Sequence, residues 1–312
     1  MVASIFGQRR ITIMPLGEGK AKETSVLLRC AVAVLLFFNC ASLGISRSTV
    51  WDTPRLAEAY ERMSAAQYQI GRELLALLRI CPGSSILDLG CGTGQLASYA
   101  ARMAGPEGRV LGLDPSPHRI AIADRRTRKG LSFSVGGSDD LATLPADSFD
   151  LVYLNYVIHW IDDRQKALRE IHRILKPEGK LGISFEDTSS PSELDKLIEE
   201  SAKEVLGSLP PELFLSTPPL GLGQLKQMLR KSGFRIRAVK KVESEDLAKA
   251  PEELLAFWRA SSAGRFLSGV SKETRRRILR RIAQRLAESR TDRGIRVLSE
   301  TLLLVAERNS SD

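Results

Sequence analysis

The chain has 312 residues, 43% of them hydrophobic and 27% charged, and its 46 Lys and Arg against 37 Asp and Glu give a formal charge of +9. That composition is ordinary for a soluble globular protein, and the length allows one large domain or one domain with a substantial insertion. The cysteines exclude a disulfide framework: Cys30 and Cys40 fall in an N-terminal extension, only Cys81 and Cys91 remain, and no Cys/His cluster has metal-site spacing.

Residues 1–49 form an extension set apart from the domain at 50–312. Arg9, Arg10, Lys20, Lys22 and Arg29 precede the apolar run Cys30–Phe38, and small residues follow. A basic stretch, a short apolar core and small residues resemble a signal or targeting segment. The core is shorter than the roughly 20 apolar residues of a spanning helix. A processed or unstructured segment is expected, and the extension is left out of the fold. A reduced, cytoplasmic compartment fits the cysteines, and membrane contact through residues 26–45 is the alternative.

From Thr53-Pro54 a helical region begins, with Thr as N-cap and Pro at the first helical position, and it runs to Pro82-Gly83. Strand and helix signals then alternate. Ser85–Leu89 is a short buried strand, Gly90–Gly94 a turn, and Leu96–Met103 a helix. Arg109–Asp114 is the second strand, and a helix from Pro117 runs to about Arg128. Leu131–Val135 and Phe149–Asn155 are the third and fourth strands. A helix at Arg164–Leu175 stops at Lys176-Pro177-Glu178-Gly179, and Lys180–Phe185 is the fifth strand. Phe234–Val239 and Val297–Ala306 read as the sixth and seventh, with helices near Glu252–Ala260 and Lys272–Glu288. Strands separated by single helices predict βαβ units and a mostly parallel sheet covered on both faces.

The sharpest local signal is Ile86-Leu-Asp88-Leu-Gly90-Cys91-Gly92-Thr93-Gly94, after a predicted strand and before a helix. Glycines there let the backbone bend tightly and approach a ligand. Asp114 ends the next strand, where a carboxylate can accept both hydroxyls of a ribose. A nucleoside-bearing cofactor is therefore expected. A dinucleotide loop would carry Gly-x-Gly-x-x-Gly, but Gln95 fills the last place. Asp88 also opposes pyrophosphate, since two unit charges about 4 Å apart interact by roughly 4 kcal/mol at an effective dielectric of about 20. A cofactor with a cationic ammonium and sulfonium, S-adenosylmethionine (SAM), fits that sign of charge.

The loop, Asp114, the stretch Asp147–Asn155 and the stretch Ala167–Gly179 resemble the class I SAM-dependent methyltransferases, over about Trp51 to Arg308. The resemblance implies a Rossmann-like, doubly wound, mostly parallel seven-stranded α/β sheet, with N-terminal helices and lid-like helical insertions at about 190–233 and 245–294. It implies that Gly90, Gly92 and Gly94 cradle the methionine part of SAM, that Asp88 lies near its amino group, that Asp114 binds the ribose, and that Cys91, Thr93 and Pro115 also belong to the cofactor site. The chain departs from the family beside the adenine, where Gly137 stands at the place of an acid. Asp139 after a small shift, or Ser138, is expected to substitute.

The fourth strand ends at Asn155-Tyr156-Val157-Ile158-His159-Trp160. Ligands bind outside the carboxyl ends of such strands, so Asn155 is expected at the cofactor and Tyr156, His159 and Trp160 at the reacting groups. The segment is similar to that of trans-aconitate and juvenile-hormone-acid type methyltransferases, which implies a small-molecule acceptor and a carboxylate oxygen. A carboxylate is already ionised at neutral pH and needs no base; a phenol or amine would make His159 a candidate base. Phenolic O-, N- or C-methylation and a non-catalytic SAM-binding regulator stand as alternatives. His118 and His172 read as helix-surface residues, and Leu213, Phe214, Phe257, Trp258 and Phe266 as lid or as core of the added helices. Residues 272–296 hold ten Lys or Arg and three acids, without interleaved aromatics, and nucleic acid is not an expected partner.

Overall fold

The computed structural model describes residues 9–13, 52–189, 192–208, 219–262, 266–267 and 269–309. One sheet of eight strands organises them. In chain order the strands are β1 (Arg9–Ile13), β2 (Ser85–Leu89), β3 (Arg109–Asp114), β4 (Leu131–Val135), β5 (Phe149–Asn155), β6 (Leu175–Phe185), β7 (Phe234–Ala248) and β8 (Ile295–Arg308). They lie in the order β1-β7-β8-β6-β5-β2-β3-β4. Strands β4, β3, β2, β5 and β6 pair in parallel, while β8 runs antiparallel to both β6 and β7.

The seven strands expected from the sequence are all present. An eighth comes from the segment set aside as an extension: Arg9–Ile13 pairs antiparallel with Lys240–Ser244 of β7. These five residues belong to the sheet. The apolar run Cys30–Phe38 lies outside the described residues, among which no helix is long and apolar enough to cross a membrane.

Nine helices are described: α1 (Pro54–Met63), α2 (Ala65–Leu78), α3 (Gln95–Ala104), α4 (Pro117–Ala123), α5 (Arg164–Ile174), α6 (Glu193–Leu206), α7 (Leu222–Lys231), α8 (Pro251–Ser261) and α9 (Lys272–Glu288). Alternate strand residues point to opposite faces and build two cores. Leu87, Val152, Leu154 and Leu304 pack against α5 and α7 on one face. Ile86, Leu151, Tyr153 and Leu303 pack against α2 and α3 on the other. Helices α6, α8 and α9 form a cap with its own core of Ile198, Ala202, Ile278, Ile282 and Leu286.

The boundaries differ from the sequence expectation in instructive places. Ser64 divides the N-terminal region into α1 and α2. Helix α4 ends at Ala123, and a 3₁₀ turn at Asp124–Arg126 follows. Strand β7 runs to Ala248 rather than Val239, because its charged half is paired across to β8, with Lys241 bridging Glu300 at 2.5 Å and Arg296 bridging Glu245 at 2.9 Å. Strand pairing thus continues to Ala248, past the start expected for the second insertion. Of the first insertion, α6 joins the cap, whereas α7 lies on the sheet through buried Leu225 and Leu229. Trp258 and Phe266, 5.6 Å apart by ring centroid, pack in the cap's own core. Leu213 and Phe214 lie outside the described residues.

Candidate functional site

The connection after β2 leads to β3 on one side, while β5 pairs on the other, so the strand order reverses at β2. In doubly wound sheets ligands bind beyond the carboxyl ends of the strands at that point. A half-open cavity lies there. Its floor is Asp88 from β2, Gly90, Cys91 and Thr93 from the following bend, and Asn155 from the end of β5; Tyr60, Ser64, Gln67 and Tyr68 from α1 and α2 cover it, and Gln95 and Leu96 from α3 close one side.

The bend depends on glycine. Gly90 has φ +80°, and a Cβ there would stand 2.2 Å from a methyl of Val157. Gly92 has φ +55°, with the Tyr60 ring 3.0 Å from where its Cβ would be. Asp114 fixes the bend from beneath: one carboxyl oxygen accepts from Gly92 N and the other from Ser116 N, each at 2.9 Å.

Asp88 is 2% exposed, and the Tyr153 hydroxyl donates to its Oδ2 at 2.7 Å. Burial raises its carboxyl to about 7, against the lowering effect of the Tyr153 hydrogen bond. The sequence reading treated Asp88 as a standing negative charge. The buried carboxyl is instead poised between its two forms near neutral pH, and a cation beside it favours the charged one. The charged form repels an anion such as pyrophosphate and attracts a cation, so the preference for a cationic ligand holds where that form is populated. Gln67 supplies a second acceptor: among the described residues, its Oε1 is the buried side-chain atom without a hydrogen-bond partner. A cavity lined by a poised carboxyl and an orphaned amide oxygen fits the methionine ammonium of SAM.

The cover is tied down at two points. Gln95 Nε2 donates to the backbone oxygen and Oε2 of Glu61, each at 2.9 Å, and Arg126 pairs with the same carboxylate. Asp52, just before α1, accepts from Ser116 Oγ at 2.6 Å and from Arg119 Nε at 3.1 Å. Arg119 also donates to the Ala260 carbonyl at 2.8 Å and lies 4.3 Å from the Tyr60 ring centroid. Burial pushes the Tyr60 hydroxyl up to about 12, with Arg119 acting in the opposite direction.

The predicted site residues separate into groups. Asp88, Gly90, Cys91, Thr93 and Asn155 share the cavity, with Asn155 held by Ser184 Oγ at 2.7 Å and by the Gln67 carbonyl at 3.1 Å. Gly92 and Gly94 shape the same bend without lining it. Asp114 is buried and holds Gly92 and Ser116, and Pro115 follows it outside the lining. Asp139 is exposed and paired with Lys166 at 3.2 Å, Ser138 is half-buried, and Asp140 accepts from Gly137 N at 2.7 Å. Tyr156, at φ +59°, has its hydroxyl 2.5 Å from Thr301 Oγ1 on β8, away from the cavity lining. The rings of His159 and Trp160 lie 5.0 Å apart by centroid, tilted by 52°, on a 3₁₀ turn outside the lining. Burial, and then Arg164, lower His159 to about 4. The residues missed in the sequence are Tyr60, Ser64, Gln67, Tyr68 and Gln95, whose helical spacing reads as packing.

Residues 87–183 match the methyltransferase domain family model. The chain is 30% identical over 205 residues to the demethylmenaquinone methyltransferase of Lactobacillus johnsonii, covering 58% of this chain and 82% of that one. It is 36% identical over 149 residues to the arsenite methyltransferase of Aquipseudomonas alcaligenes, covering 45% of this chain and 42% of that one. Among solved structures it resembles phosphoethanolamine N-methyltransferase 2 of Haemonchus contortus, in complex with S-adenosyl-L-methionine. The TM-score there is 0.53 and the identity 20%, over 83% of this chain and 58% of that one.

Proposed function

Because the chain belongs to the class I SAM-dependent methyltransferases and transfers methyl groups to a small-molecule acceptor, we propose that the acceptor atom is already anionic at neutral pH, a carboxylate oxygen. His159 carries this reading. It is the side chain best placed in the sequence to act as a base, and a half-buried imidazole lowered to about 4 has little driving force to take a proton from a phenol or an ammonium. A carboxylic acid with a pKa near 4 has lost its proton before it binds.

In this reading Asp88 and Gln67 take the ammonium of the cofactor, the bend at Gly90–Gly94 takes its methionine backbone, and Asp114 takes the ribose hydroxyls through lone pairs left by its two amide contacts. Bound SAM supplies a methyl group on a cationic sulfur, and the breaking bond leaves its electron pair on that sulfur. The protein's part is then to align the acceptor oxygen with the methyl carbon and to exclude water. The cover formed by Tyr60 and Tyr68 and the cap of α6, α8 and α9 serve that exclusion.

A second reading has its own support. The Lactobacillus relative is named for demethylmenaquinone, which favours an acceptor of that kind and a product without an ester. Isotope-labelled SAM tested against panels of carboxylic acids, phenols and quinols separates the two. The expected product loses its label in mild base, and His159→Ala keeps kcat within about threefold. A base-stable product, or near-total loss in His159→Ala with unchanged cofactor affinity, sinks the carboxylate reading.

A further inference from the structure

Tyr153 sits in the middle of β5, directly opposite Asp88 of β2 in the parallel register. It is a fully buried side chain. A tyrosine hydroxyl taken out of water needs a partner, and the one it has is Oδ2 of Asp88 at 2.7 Å. The ring is packed among Ile86, Leu151, Leu303 and α2, so the hydroxyl has no room to leave. Asp88 lines the cavity. With Oδ2 held from behind, Oδ1 is the oxygen left for a ligand.

We propose that Tyr153 is a positioning residue for the cofactor: its hydroxyl clamps Oδ2 of Asp88 so that Oδ1 is presented as an ionised acceptor to the methionine ammonium of SAM. This rests on the reading of Asp88 as the ammonium partner. The chemistry favours a fixed donor. Burial, and then Asp88 itself, hold the Tyr153 hydroxyl well above its ordinary range, so it stays protonated and donates at every working pH. A hydrogen bond to the charged form of a carboxyl favours that form, and here it opposes the desolvation that pushes Asp88 up to about 7. The phenol therefore fixes the orientation of the carboxylate and lowers the pH at which it is charged. A phenylalanine would fill the same space and do neither.

The test is a comparison of two ligands. S-adenosylhomocysteine carries the ammonium; 5′-methylthioadenosine lacks the whole amino-acid part. Calorimetry from about pH 6 to about pH 9 is run on the full chain, on Tyr153→Phe, on Asp88→Asn and on the double variant, which buries no unpaired carboxyl and provides a folded reference. Tyr153→Phe is expected to weaken S-adenosylhomocysteine about tenfold near neutral pH. It leaves 5′-methylthioadenosine within about twofold and moves the pH midpoint of S-adenosylhomocysteine binding upward. In the Asp88→Asn background the same substitution changes affinity by less than about twofold. Equal losses for the two ligands, an unmoved midpoint, or a full loss retained in the Asp88→Asn background would overturn the role of Tyr153. If Asp88→Asn itself leaves S-adenosylhomocysteine affinity unchanged, the reading of Asp88 fails, and the role of Tyr153 fails with it.

Discussion

At the scale of single residues, two groups give the protein opposite pH responses. Asp88 has a folded-state pKa of about 7 against an ordinary value of 3.8. A raised carboxyl pKa means the folded state holds its proton more tightly than the unfolded chain. The stability this contributes is full below the unfolded value and is lost as pH rises through the folded one. His159 is lowered from 6.5 to about 4, so its neutral form is favoured by folding, and that contribution is lost as pH falls from about 6.5 towards 4. The Asp88 effect spans about pH 4 to 7 and the His159 effect about pH 4 to 6.5 with opposite sign, so the two offset one another in the acid range, and the ligand-free protein loses stability with rising pH on account of Asp88 between about pH 6.5 and pH 7. Asp88→Asn should remove that loss and uncover a gain in stability as pH rises from about 4 to 6.5, whereas His159→Gln should extend the Asp88 loss down to about pH 4. Denaturant midpoints across the range measure both. The same alkaline slope in Asp88→Asn as in the parent would show that another group titrates. Saturating S-adenosylhomocysteine should also shrink the slope, because its ammonium compensates the charge that folding buries.

At the scale of elements, the β2–α3 bend is where sequence and structure agree most closely, and the reason is steric. Gly90 combines a left-handed φ of +80° with a Cβ position 2.2 Å from Val157. Two costs attach to Gly90→Ala: about 1–2 kcal/mol for the left-handed backbone and about 1–3 kcal/mol for overpacking. Adding Val157→Ala should return the second part and not the first, which chemical denaturation of the three variants would resolve. If the double variant is no more stable than Gly90→Ala, the contact with Val157 is not the constraint. Such a bend can be read from the chain because no other residue satisfies it. The cover could not be read in the same way. Tyr60, Ser64, Gln67 and Tyr68 occur at helical spacing, and helical spacing carries the same information whether a face meets core or ligand. Nor could the outer half of β7, where Lys240 to Asp246 looks like a solvated loop until β8 supplies the opposite charges. On the adenine side Asp139 pairs with Lys166, and Asp140 is the residue that closes the turn on Gly137.

At the scale of the molecule, three units folded from distant parts of the chain meet at one guanidinium. Arg119 opens α4 and binds Asp52 ahead of the cover, the Ala260 carbonyl at the end of α8 in the cap, and the face of Tyr60 above the glycine bend. Asp52 has a fully buried side chain, so its charge depends on this pairing and on the Ser116 hydroxyl. Breaking a buried pair by removing one partner leaves an uncompensated charge and costs about 3–5 kcal/mol, while replacing both partners is often close to neutral. Arg119→Leu should therefore destabilise the protein by about that amount, and Asp52→Leu on top of it should recover a large part. The cap should respond before the sheet does, because α8 loses its anchor at Ala260 while its own core of Ile278, Ile282 and Leu286 is untouched. Limited proteolysis of Arg119→Leu should cut first in α8, at denaturant concentrations where β2 to β6 are still protected from hydrogen exchange. Simultaneous exposure of cap and sheet would mean that the two unfold as one unit and that Arg119 is only one contact among many. Cleavage confined to the cap, with weaker S-adenosylhomocysteine binding, would show that closing the cavity and attaching the cap are the same event.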